Sequence, residues 1–137
     1  MGYASARAVR GGGRAHPGYL SRVLARDLIN RNDACFTPPV VLAEVAHRGR
    51  KDGFEKRKTV QELTDTPAAS EVIPITPGLA VAASSAAREL QATARARRLP
   101  LPGLADGLIL GTTRITESRL ISADPHFHRF RATLWLG

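Results

Sequence analysis

A chain of 137 residues with 43% apolar and 23% charged positions has ordinary globular composition, and it is long enough to bury about two-thirds of the surface its unfolded form exposes. Its 20 basic and 12 acidic residues leave a formal charge of +8, which favours a polyanionic partner such as RNA, DNA or an acidic protein. The single cysteine, Cys35, excludes an internal disulfide and a Cys-rich zinc site; with no apolar run long enough for a membrane span and no secretory leader core, the expected location is the cytoplasm.

Residues 1–16, MGYASARAVRGGGRAH, form a basic, glycine-rich segment that reads as a frayed arm or a weak first strand, and residues 17–137 read as one domain. From 17 to 30, Leu20, Val23, Leu24 and Leu28 recur at helical spacing behind Pro17. ACFT predicts a short strand. TPPVVLAEVAH then predicts a helix with Thr37 as N-cap, prolines in its first turn and an end near Gly49.

After the turn GRKDGF, FEKRKTVQELTD predicts a polar helix whose Phe54, Val60 and Leu63 reach the core, and SEVIPIT a third strand. The longest helix is expected to start after Thr76, with Pro77 in its first turn, and to run to about Leu99; its alanine-rich face suits close packing and suggests a homodimer face. A further helix opens at Pro102 and Gly103, and RLIS and TLWL read as two more strands. Alternating strands and helices predict an α/β fold with a parallel sheet covered by helices on both faces.

Three carboxylates stand in apolar surroundings. Asp124 follows RLIS, at the carboxyl end of a predicted strand, where open α/β sheets bind ligands; an aspartate before Pro125 equally suits a turn. Asp106 lies among Leu104, Ala105, Leu108, Ile109 and Leu110, where burial demands a partner or a metal, unless the first helical turn stabilises the charge. Glu44 sits within PPVVLAEVAHRGR, where its head could reach water or meet Arg48 at i+4. If the three converge, their repulsion demands cations, and oxygen-only ligation suits Mg²⁺ or Mn²⁺.

The pieces TPPVVLAEV with Glu44, LPGLADGLILGTT with Asp106, and RLISADPHF with Ser122 and Asp124, in that order, resemble the PIN-domain family, metal-dependent ribonucleases that include the VapC toxins of toxin–antitoxin pairs. The resemblance implies a three-layer α/β/α fold with a central parallel sheet and an acidic pocket for one or two Mg²⁺ or Mn²⁺ ions. Within it, Glu44, Asp106 and Asp124 would be the metal ligands and Ser122 their hydroxyl support. The implied activity is hydrolysis of RNA phosphodiesters by a metal-activated water, and the implied partners are RNA and an antitoxin protein.

The chain departs from the family at its start. There the family has a strand ending in an aspartate, often Asp-x-Ser-x; the nearest match here is YASA, which puts Tyr3 in the aspartate's place, and no acid precedes Asp27. The alternative reading is therefore a catalytically weak or inactive PIN-like domain that binds RNA or protein.

Other features have plainer readings. His126 and His128, on one side of an extended HFH, suit surface or phosphate contact better than half a zinc site. RGGGR at 10–14 lacks the lysine and hydroxyl residue of a P-loop. Ser84 and Ser85 read as small packing residues, Trp135 as a core or edge-strand residue, and RARR at 95–98 as the basic end of the long helix.

Overall fold

The computed structural model describes residues 3–5, 35–65 and 71–135. The predicted helix at 17–30, RGGGR and most of the basic first segment lie outside the described residues. Thr37 is held extended by the proline that follows it, so CFT closes as strand β2 (Cys35–Thr37). Pro39 then opens helix α1 (Pro39–Lys51), which a Pro tolerates at its first position because the missing N–H had no helical partner there.

Thr37 is not the N-cap expected of it. Pro38 occupies that position without a side-chain bond, because Thr37 is still in the sheet, where its carbonyl accepts from the Ile73 amide at 3.1 Å. Helix α2 (Lys56–Asp65) follows the turn, and Arg48 pairs with Asp52 at 3.1 Å where α1 ends. Val60, expected in the core, is 56% exposed, whereas Phe54 is half-buried beneath the Lys58 ammonium at 4.3 Å from the ring centroid.

Strand β3 (Glu71–Val72) is shorter than SEVIPIT suggested, and the next residue but one is Pro74, which cannot donate to a ladder. Helix α3 (Pro77–Ala96) begins as its sequence predicts: Thr76 Oγ1 accepts from the Leu79 amide at 3.2 Å, with Pro77 in the first turn. Helix α4 (Leu104–Ile115), strand β4 (Arg119–Ser122), a 3₁₀ turn at Pro125–Phe127 and strand β5 (Thr133–Trp135) complete the described chain, and β1 (Tyr3–Ser5) realises the weak first strand.

The five strands form one parallel sheet in the order β3-β2-β1-β4-β5, the centre of the expected three-layer α/β/α fold. The order reverses between β1 and β4. In such sheets a crevice opens at that point, beyond the carboxyl ends of the strands. Among the described residues no helix is long and apolar enough to cross a membrane.

The core gathers Val41, Ala86, Leu90, Ile109, Leu110, Leu120 and Phe127, each larger side chain contributing roughly 1.5–3 kcal/mol by leaving water. The alanine-rich face of α3 is consumed inside the chain: Ala83 and Ala87 pack against Gly107 and Gly111 of α4. It therefore does not supply the homodimer face suggested by its composition. Ser84 and Ser85 point away from this contact and are exposed rather than packed.

Candidate functional site

Parallel pairing sets where each candidate residue lies. Ser122 ends β4 and Asp124 follows two residues later, at the carboxyl edge of the sheet. Helix α4 returns the chain to the start of β4, so its first turn, with Asp106, belongs to the same edge as Ser122. Glu44 stands further from the edge, about 7 Å along α1 from Pro39 at 1.5 Å per residue.

Tyr3 is elsewhere. It pairs with Arg119 at the entry end of β4, whereas Ser5, the last residue of β1, pairs with Ile121. Tyr3 therefore does not occupy the strand-exit position of the family's aspartate. A parallel ladder advances both strands together and cannot bring the first residue of one beside the last of the other.

Asp124 is built into its turn from both sides. Ser122, buried at 4% exposure, accepts the Asp124 amide on Oγ at 3.0 Å, and Asp124 Oδ1 accepts the His126 amide at 3.0 Å. The His126 ring lies against the same oxygen, with Nδ1 at 2.7 Å, while its Nε2 lies 2.7 Å from the carbonyl oxygen of Pro100. Both acceptors are oxygen, so a ring bearing both N–H protons satisfies both contacts.

Burial opposes the charge on His126, but the Pro100 carbonyl, the Asp124 carboxylate and the field of Asp106 outweigh it and raise its pKa above the ordinary imidazole value. Asp106 has a local duty as well. Its Oδ2 accepts the Gly103 amide at 3.3 Å, fastening the first turn of α4, which combines the helix-terminus reading of this residue with its place near His126.

The structure thus brings Ser122, Asp124 and His126 into contact, with Asp106 on the first turn of α4 close enough for its charge to act on the imidazole. Among the described residues no three His, Cys, Asp or Glu side chains are gathered closely enough to hold an ion. The donors that remain are hard carboxylate oxygens, and Mg²⁺, which keeps several waters, needs one or two of them. Asp106 and Asp124 fit that requirement.

Two basic features border this edge. Arg97, at the end of α3, donates to the Pro125 carbonyl at 2.6 Å, so part of RARR is tied to the site's own turn. His126 and His128 are not side by side on an extended strand. They lie on and after the 3₁₀ turn, His126 committed to Asp124 and Pro100, and His128 against the Trp135 ring at 4.5 Å between centroids. The Asp-x-His spacing was the available signal for the Asp124 contact, but nothing local pointed to Pro100, 26 residues away.

Residues 19–132 match the family model described as PIN domain. No curated protein matches by sequence. A solved structure of VapBC2 from Rickettsia felis, bound to a DNA fragment from their promoter, contains a similar chain at 18% identity and a TM-score of 0.61, covering 98% of this chain and 97% of that one.

Proposed function

This chain belongs to the PIN-domain family, and we propose that it is a VapC-type toxin ribonuclease that hydrolyses RNA phosphodiesters with Mg²⁺ or Mn²⁺. The observation that supports this reading is the place of Asp124, fixed by Ser122 at the carboxyl end of β4 next to the switch in strand order, with Asp106 on the first turn of α4. Were Asp106 and Asp124 to hold a divalent ion, the chemistry it would supply is a more acidic water and polarisation of a phosphoryl oxygen.

The chain's own residues orient the reactants. Asp106 and Asp124 would hold the ion, and Ser122 fixes the loop of Asp124 through its amide, with Glu44 further along α1 as the remaining acid of the family set. Arg95, Arg97 and Arg98 line the end of α3 beside the site turn, where positive charge attracts a phosphate backbone, and the overall charge of +8 acts in the same sense. The structurally similar chain comes from a VapBC2 assembly, which supports an antitoxin protein as the partner of this chain.

The test is cleavage of labelled single-stranded RNA with and without Mn²⁺ or Mg²⁺, beside Glu44→Gln and the double variant Asp106→Asn, Asp124→Asn. Metal-dependent cleavage by the wild type that falls to background in the double variant is expected. Equal products from wild type and double variant would remove the enzyme reading and leave the RNA- or protein-binding alternative, which the absence of a three-acid cluster among the described residues favours.

A further inference from the structure

Strand β5 lies beside β4 at one side of the sheet, and its register places Trp135 opposite Ser122. The indole therefore belongs to the carboxyl edge that also carries Asp124. Paired strands run about 5 Å apart, which makes Trp135 an immediate neighbour of the serine that holds the Asp124 amide. Trp135 is the chain's only tryptophan, and it meets His128, with ring centroids 4.5 Å apart and planes tilted by 36°.

The two rings meet because the chain between them is fixed. Phe127 is 1% exposed in the core, and the Phe130 amide donates to the Phe127 carbonyl at 3.1 Å. The Thr133 amide then donates to the Phe130 carbonyl at 2.9 Å as the chain enters β5. His128 is nevertheless exposed and Trp135 half-buried, so ring surface remains open to solvent. Arg129 and Arg131, in the segment joining the rings, are exposed as well.

Aromatic rings beside exposed arginines are the means by which proteins hold single-stranded nucleic acid: bases stack on the rings and the cations meet phosphates. An acidic peptide would use the cations but has no need of a ring pair. Because these rings are already in place, a base that stacks on them has little left to order.

We propose that His128 and Trp135 form a stacking platform for one base of a single-stranded RNA, holding that nucleotide beside the acidic edge. The proposal rests on RNA as the ligand of this edge, and it makes the two rings determinants of how the strand is seated there.

The experiment follows the anisotropy of a short dye-labelled single-stranded RNA, in EDTA so that the strand stays whole. An abasic strand of the same length and charge is the comparison, and the proteins are wild type, His128→Ala and His128→Phe. Wild type is expected to bind the RNA about 5-fold or more tightly than the abasic strand. The RNA should also quench the Trp135 emission, and the abasic strand should not. His128→Ala should lose most of the preference for bases while binding the abasic strand as wild type does, and His128→Phe, which keeps a ring, should retain it.

An undiminished preference in His128→Ala overturns the proposal, and so does its loss in His128→Phe, which would make the imidazole's polar atoms the cause. RNA that binds without quenching Trp135 overturns it too. Equal binding of the two strands by wild type reduces this edge to phosphate attraction, which ends the platform and leaves RNA as the ligand. A wild type that binds neither strand overturns RNA as the ligand and the platform with it.

Discussion

Gly107 on α4 lies so close to Ala83 on α3 that a side chain at 107 would press into the Ala83 carbonyl oxygen and come within 2.8 Å of Ala87 Cβ. Glycine here serves close approach, and the neighbour is backbone that cannot turn aside. Gly107→Ala gains about 1 kcal/mol of helix propensity but forces the helices apart, for an expected net loss of roughly 2 kcal/mol. Gly78→Ala, whose new Cβ meets only Thr76 Oγ1 at 3.8 Å, should be neutral or stabilising by about 0.5 kcal/mol. Urea denaturation of the two variants checks both signs.

Arg114 and Glu89 join the same two helices by an ion pair, but both side chains are more than a third exposed. Water and salt screen such a pair, so Arg114→Ala should cost less than about 1 kcal/mol, and less still in 1 M salt. A thermal melt at two salt concentrations measures this; a loss as large as that of Gly107→Ala would mean that charge rather than packing holds α3 to α4.

Phe127 ties the site turn to the core. It sits at 1% exposure in the cluster with Ile109 and Leu120, one residue from His126. Phe127→Ala removes most of a ring and should cost about 3–5 kcal/mol; Phe127→Leu keeps the site apolar and should cost less. Denaturant midpoints order the three proteins, and hydrogen exchange of the Asp124 and His126 amides should quicken in the leucine variant before the core opens.

Under the proposed function, Ser122 would bear on activity through Asp124, whose amide it holds. Ser122→Ala deprives the Asp124 amide of its acceptor at a partly buried position, an expected cost of about 1 kcal/mol, and releases the loop that aims the carboxylate. Metal-dependent RNA cleavage should fall in Ser122→Ala and recover in Ser122→Thr, which restores a hydroxyl. Equal rates in all three would show that the hydroxyl has no part in aiming Asp124.

His126 makes stability depend on pH in a definite direction. Its pKa is higher in the folded chain than the ordinary value of 6.5, so the folded state binds the proton more tightly than the unfolded state. The stabilisation is fully present below the unfolded value and is lost as pH rises through the raised folded value. In metal-free protein, the melting-temperature advantage of wild type over His126→Gln should be largest near about pH 6 and shrink toward about pH 9. An advantage that grows with pH would reverse the assignment of charge.

Much of this protein is determined locally and is legible from its residues. Thr76 followed by Pro77, and Pro102 followed by Gly103, mark where α3 and α4 begin, because caps and prolines act on their own turn of chain. CFT and RLIS, with helices between them, show the alternation of strand and helix that argues for a covered parallel sheet. Asp106, Asp124 and Glu44 are conspicuous because charge in apolar surroundings demands an explanation.

Tertiary structure alone decided the rest. Composition read the alanines of α3 as a surface for a second copy, but Ala83 and Ala87 pack against Gly107 and Gly111, and that depends on two helices meeting. Register put Tyr3 beside Arg119 and away from Ser122, a matter of strand pairing that a local match to YASA cannot reveal. His126 looked like a surface residue until folding brought Pro100 to its second nitrogen, because a hydrogen bond across 26 residues leaves no periodicity in the sequence that makes it.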